Sequence, residues 1–287
     1  MTDAYTPPEV WQPAESGGQF SGINRPTAGA REERDLPVGS HPFQLYSMGT
    51  PNGVKVTIMF EELLERGFAE AEYDAWMIEI IKADQFTSGF VALNPNSKVP
   101  ALLDQSGETP FRVFESGAIL QHLAEKFDYL LPKTNPARAE TLSWLNWQMG
   151  TAPFIGGGFG HFYQYAPEKY EYPINRYAME VKRIFDVANN RLAETRFLAG
   201  DELTIADLAA YPWLSALYHG AYSGSDVFLS LHEYENVGRW VREIDARPAA
   251  IRGRLVNTTA LRERHSAADF DKVEDRTLFD TVRKKIG

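Results

Sequence analysis

FQLYSMGTPNGVKVTIMFEELLERG, residues 43–67, decides how the chain folds. Its first six residues have an apolar strand pattern, Gly49–Gly53 are turn formers, and an amphipathic helical stretch follows at once. Strand, tight turn and helix N-terminus in that order make a junction where many folds keep a reactive group. Thiol-disulfide enzymes carry a cysteine pair at such a junction, yet this chain contains no cysteine. The first backbone N–H groups of a helix are unpaired and carry partial positive charge, so they favour an anion. Thr50 offers a hydroxyl donor and Asn52 an amide donor, while Pro51 offers none and fixes φ. The same residues also read as a turn-and-cap cluster with no ligand at all.

Length and composition narrow the possibilities. A chain of 287 residues, 44% hydrophobic and 24% charged, is expected to form two globular domains. Net charge is −10 and no Lys/Arg run stands out, which argues against nucleic acid as a partner. The opening MTDAYTPPEV has neither the basic nor the apolar region of a secretory signal. The stretch IADLAAYPWLSALYHGAY is interrupted by Asp207, Pro212 and His219, so it reads as a buried helix rather than a membrane span. Without cysteine there are no disulfides, no thiolate metal site and no cysteine nucleophile. The histidines show no metal-ligand spacing, so no metal is expected, and the cytoplasm is the expected location.

Four parts follow along the chain. Residues 1–42 are rich in Pro and Gly and read as an extended arm, ordered only if something tethers it. Residues 43–131 alternate between strand and helix in the order β-α-β, an irregular piece, then β-β-α, which predicts an α/β domain with a mixed sheet. Residues 136–257 carry helical spacing only and predict an all-α domain. Residues 258–287 read as a charge-rich peripheral tail.

Two further stretches bear on chemistry. In NPNSKVPALLD, residues 94–104, Pro100 stands where a strand should begin. It is either a strand-initiating trans proline or a cis one that turns Val99 towards an open sheet edge, where an extended peptide can pair. In VFESGAILQHLAEKF, residues 113–127, Ser116 reads as a helix N-cap that leaves the helix's first N–H groups for a carboxylate. Glu115 beside it suits a ligand bearing both an α-carboxylate and an α-ammonium group. IGGGFGH, residues 155–161, follows a helical pattern and reads as a broken helix leaving room for ligand, not a phosphate cradle. His161, Tyr163 and Tyr165 read as pocket lining or packed aromatics, and Trp144, Trp147 and Trp213 as core.

The turn, the N-P-x-x-K-V-P-A-L segment and E-S-x-A-I-L together resemble the glutathione transferase superfamily, whose thioredoxin-like plus all-helical layout residues 43–257 fit. TIADLAAYPWL is similar to the family's folding motif, with Thr204 and Asp207 as a capping box. INRP in the arm, GTPNGVKVTIM, DQFTSGFVALNPNSKVPAL and APFIGGGFGHFYQYAP resemble its nu class of bacterial disulfide-bond reductases.

The resemblance implies a role for each position. Thr50 and Asn52, with Pro51 between them, would hydrogen-bond the glutathione sulfur and be catalytic. Val99, before a cis Pro100, would pair with the cysteinyl backbone. Glu115 and Ser116 would hold the γ-glutamyl ammonium and carboxylate, and Gln85 and Lys98 the tripeptide's polar ends. Asn24 and Arg176 would complete a site for a second glutathione. Met149 stands where the family has a glutamine; Gln148, one residue earlier, is turned roughly 100° away on a helix and is left out of the site.

The activity so implied is that of a homodimeric, glutathione-dependent disulfide-bond reductase with weak transferase or peroxidase side activity. Reduced or oxidised glutathione would be its cosubstrate and a small disulfide its substrate, with no metal, membrane or nucleic acid involved. A conjugating transferase for electrophiles and a non-catalytic regulator with the same fold are the alternatives.

Overall fold

The apolar run of the opening stretch becomes β1 (Phe43–Ser47), buried along its whole length. It feeds through Thr50 into α1 (Pro51–Arg66), which ends on Gly67 at φ 101°, a left-handed cap that glycine adopts without steric cost. The computed structural model describes residues 5–13 and 20–273. After α1 come β2 (Tyr73–Met77), α2 (Ser88–Leu93), β3 (Ala101–Asp104), β4 (Phe111–Phe114) and α3 (Ser116–Phe127). The strands lie in the order β2-β1-β3-β4, with β1 and β2 parallel and the other pairs antiparallel. This is the mixed sheet that the alternating pattern predicts. A strand covered on both faces reads as a continuous apolar run, which is why β1 shows no alternation.

Helices alone follow: α4 (Ala137–Pro153), α5 (Glu171–Glu194), α6 (Ile205–Tyr218), α7 (Ser225–Phe228), α8 (Glu235–Asp245) and α9 (Pro248–Gly253). Helix α6 is apolar all round because it is central and buried from Ile205 to Pro212. Its start is the expected capping box. Thr204 Oγ1 accepts from Ala206 N–H at 3.3 Å, and Asp207 Oδ2 accepts from Thr204 N–H at 3.0 Å. Asp207 Oδ1 also accepts from Leu198 N–H and from Trp240 Nε1, each at 2.9 Å. Residues 235–253 form two helices. Pro248 cannot continue α8, and it opens α9 at a first-turn position where its missing N–H costs nothing.

The structure departs from the sequence pattern in two places. IGGGFGH is not a break that leaves room for ligand: Phe154–Tyr165 continues from α4 as a wide, π-type helical stretch. Its glycines make space for aromatic rings, since a Cβ on Gly156 would fall 2.5 Å from Trp213 and one on Gly158 2.4 Å from Tyr177. Nor is the segment from residue 258 peripheral up to residue 273. Arg264 pairs with Ala75 beside β2, is 1% exposed at its side chain, and donates from Nε to Glu61 on α1 at 3.0 Å. Its guanidinium lies 4.1 Å from the Tyr73 ring centroid. Glu61 also receives Arg252 at 2.7 Å, and Glu62 holds Arg247 through two bonds of 2.6 and 2.7 Å. These pairs fasten the far half of α1 to α9 and to the returning chain. Residues 274–287 of the expected tail lie outside the described residues.

The arm is tethered. Arg31 N–H donates to Phe86 O at 2.8 Å, Ser88 N–H to Glu32 O at 2.8 Å and Gly89 N–H to Arg34 O at 3.0 Å. The guanidinium groups of Arg25 and Arg31 lie 4.4 and 4.0 Å from the Phe86 ring centroid. Phe20 meets Tyr165 edge-on at 4.9 Å, so the arm spans from the sheet side to the helical side.

Candidate active site

A cavity of about 200 Å³ opens between the arm, the turn before α1, the Asn94–Pro100 loop and the start of α3. Asn52, Gln85, Lys98, Val99, Glu115 and Ser116 all line it, as do Ile23 and Asn96. The loop is shaped by Asn94, whose Nδ2 donates to Lys98 O at 2.7 Å and whose Oδ1 accepts from Asn96 N–H at 2.9 Å. The Val99–Pro100 bond is cis.

Ser116 is not the N-cap of α3. It is the first helical residue, and Glu115 occupies the cap position with φ 70° and no capping hydrogen bond from its side chain. Positive φ on a non-glycine residue costs on the order of 1–3 kcal/mol and persists where the surroundings enforce it, often at ligand clamps. The start of α3 is thus buried at Ser116 and free of any side-chain cap, a ready position for a carboxylate. Glu115 is exposed at the cavity wall, and Asn96 Nδ2 donates to its Oε1 at 3.5 Å.

At the turn, Thr50 Oγ1 accepts from Gly53 N–H at the long distance of 3.5 Å and lies 3.4 Å from Met48 O. Both contacts are weak, so the hydroxyl remains available to donate. Trp213, read from sequence as core, has a direct role in the turn. Its indole Nε1 donates to Asn52 Oδ1 at 2.9 Å. Indole nitrogen is only a donor, so this bond presents the Asn52 carbonyl to Trp213 and leaves the amide Nδ2 for a ligand.

On the other side of the turn lies a cavity of about 390 Å³, lined by Gly49, Pro51, Tyr165, Tyr211, His219 and Arg254 among others. Its polar floor is held by Asp245, which accepts from Arg254 Nη1 at 2.8 Å and pairs with His219 Nε2 at 2.8 Å. Those partners keep the Asp245 carboxyl below its ordinary value against the opposing effect of burial. Thr50 itself lines neither cavity: Gly49 and Pro51 on either side of it line the second, and Asn52 lines the first. Asn24 lines a third cavity of about 300 Å³ under the arm, which shares Ile23, Asn96, Ser97 and Lys98 with the first. Arg176 lines none of the three; it lies on α5 and binds Glu180 at 2.7 Å. Tyr165 is pocket lining, while Tyr163 is packed, stacked on Phe159 at 4.8 Å.

Residues 41–125 match the glutathione S-transferase N-terminal domain, and residues 171–243 match the glutathione S-transferase C-terminal domain. The chain belongs to the glutathione S-transferase family. Over 285 residues this family member is 55% identical to the disulfide-bond oxidoreductase YghU of Escherichia coli K12, covering 96% of this chain and 99% of that one. A crystal structure of the glutathione transferase YghU from Streptococcus pneumoniae, complexed with glutathione, superposes with a TM-score of 0.87 at 56% identity, covering 89% and 99% of the two chains. A glutathione transferase from Burkholderia graminis, with two glutathione molecules bound per subunit, gives 0.69 at 38% identity over 75% and 88%. Among the described residues, no helix of this transferase is long and apolar enough to cross a membrane, and no group of three or more His, Asp or Glu could hold a metal ion.

Glu115→Gln is expected to raise the glutathione dissociation constant at least about tenfold. If Glu115 holds the ligand's ammonium group as the sequence suggests, the change removes a charged hydrogen bond worth roughly 1.5–3 kcal/mol. Calorimetry on the folded variant checks this, and an unchanged affinity removes Glu115 from the site.

Proposed function

We propose that the protein is a glutathione-dependent disulfide-bond oxidoreductase of the nu class, acting as a cytoplasmic homodimer on small disulfides. The observation that carries this reading is chemical. The chain contains no cysteine, yet it is closely similar to a disulfide-bond oxidoreductase. Thiol–disulfide exchange needs an attacking thiolate, so both reducing equivalents must come from bound small thiols.

One glutathione occupies the first cavity. Its γ-glutamyl ammonium meets Glu115 and its carboxylate meets Ser116 and the start of α3. Its cysteinyl backbone pairs with Val99, and Gln85 and Lys98 take the polar ends. The sulfur then lies at the start of α1, where Thr50 and Asn52 donate to it. A free thiol titrates near about 8.5, and two donors plus a helix N-terminus lower that value. The thiolate attacks one sulfur of the substrate disulfide. A glutathione mixed disulfide forms, the substrate S–S bond breaks, and the departing thiolate takes a proton from water. A second glutathione thiolate attacks the bound glutathione sulfur, releasing the second substrate thiol and oxidised glutathione. In sum, two glutathiones and one disulfide give two substrate thiols and one glutathione disulfide. The tyrosine-lined cavity beside Gly49 and Pro51 receives the substrate half. Asn24 is assigned to the second glutathione, as is Arg176, whose Nη1 also donates to Glu180.

The test is stoichiometry in binding and turnover. Reduced glutathione is expected to bind at two per chain, and bis(2-hydroxyethyl) disulfide to consume two glutathiones with one glutathione disulfide formed. A single-site isotherm together with formation of stable thioether conjugates, but no disulfide reduction, overturns the reading in favour of a conjugating transferase.

A further inference from the structure

Lys55 is buried on α1 with no exposed surface. Its Nζ donates to Gln148 Oε1 at 2.7 Å and lies 3.4 Å from both Ser116 Oγ and Met149 Sδ. It forms no ion pair among the described residues, whereas buried charges are ordinarily paired. Beside it, Gln148 Nε2 is buried and has no hydrogen-bond partner among the described residues. A buried ammonium and a buried amide donor therefore stand directly behind Ser116, where α3 begins without a side-chain cap. All of these groups can donate, and among the described residues none of them is in contact with an anion. The sequence gives little sign of this, because a single lysine in an amphipathic helix is ordinarily solvent-facing.

We infer that Lys55 is the buried counter-ion for the carboxylate that a bound ligand places at the start of α3, acting through Ser116, so that the site selects ligands with an anion at that end. It is a positioning residue, and the inference rests on the glutathione reading above. Gln148 belongs to the same device, one layer behind the cavity wall rather than on it.

Proton linkage follows from the geometry. Burial pushes the Lys55 ammonium down to about 7, and the Glu115 carboxylate opposes that fall. From α4 it faces only the neutral Gln148 and Met149, and Glu115 at the start of α3 is the one charged group among the described residues that perturbs it. A carboxylate arriving at Ser116 favours the charged form and raises the pKa. Binding should therefore take up a proton when the pH is above about 7, and affinity should be flat below that pH and fall as it is exceeded.

The probe is S-methylglutathione, which has no thiol to titrate. Calorimetry at pH 7.5 in two buffers of unlike ionisation enthalpy is expected to show uptake of more than about half a proton on binding to the native protein. The analogue with its γ-glutamyl α-carboxylate converted to an amide should bind at least about tenfold more weakly, without that uptake. Lys55→Met should lose both the uptake and most of the acid-over-amide preference. Native binding without proton uptake overturns the proposal, and so does a folded Lys55→Met that keeps the full preference. If that variant does not fold, the native measurement decides alone. Failure of the native protein to bind S-methylglutathione at all would instead remove the glutathione reading itself.

Discussion

Replacing both donors at the turn, as Thr50→Ala with Asn52→Ala, is expected to slow disulfide reduction at pH 7 by about 10- to 30-fold. In the proposed site both donors would hydrogen-bond the sulfur and hold it ionised; a bound thiol returned to about 8.5 is only about 3% thiolate at pH 7, which caps the loss at about 30-fold. Folding is not at stake. The Thr50 cap bond is 3.5 Å long, and a lost cap costs about 1 kcal/mol. Among the described residues the Asn52 side chain holds one bond, to Trp213. The pH dependence separates this account from a structural one. In the double variant the bound thiol titrates closer to its free value, so the rate should climb between about pH 7 and 9 while the native rate stays flat. Each single variant should fall between the two, and some activity should survive from the α1 N-terminus alone.

Asp207→Ala is expected to destabilise the helical half by about 3–5 kcal/mol, enough to prevent folding of a marginal domain. The carboxylate is fully buried and accepts from Leu198 N–H, Thr204 N–H, Thr204 Oγ1 and Trp240 Nε1, all within 3.1 Å. Removing it leaves buried donors unsatisfied and opens a cavity beside Trp240. Burial pushes its pKa up and the four donors pull it back. Denaturant unfolding followed by tryptophan fluorescence measures the loss. Asp207→Asn, which keeps the shape and one acceptor, should lose less than Asp207→Ala.

The sequence carried those features that depend on local pattern. The strand, turn and helix of residues 43–67, the mixed sheet and the Thr204–Asp207 box are written in spacing and residue type, and each is found. Features set by what packs from elsewhere were not legible. Ser116 looks like a cap because serine commonly is one, but the positive φ of Glu115 shifts the helix start by one residue. Trp213 has the apolar context of a core residue, and only the crossing of α6 over the turn brings its indole to Asn52. The glycines at 155–161 are equally consistent with an opening and with close aromatic packing; Trp213 and Tyr177 decide for packing. Residues 258–273 are polar enough to read as tail, yet Arg264 is buried by finding Glu61 and Glu72. Lys55 was missed because its partners lie at positions 116, 148 and 149.

In the proposed mechanism a bound glutathione, not the protein, supplies the activated sulfur. Because the chain has no cysteine, any thiolate absorbance in the complex belongs to glutathione alone. Burial also pushes the Tyr46 and Tyr222 hydroxyls up to about 12, out of the range of such a titration. The decisive measurement is an ultraviolet titration of saturated native protein between about pH 5 and 9. The expected thiolate midpoint lies at least about one unit below the free value of about 8.5 and moves back towards it in the Thr50→Ala, Asn52→Ala double variant. A midpoint at or above the free value, with disulfide reduction intact, contradicts this mechanism.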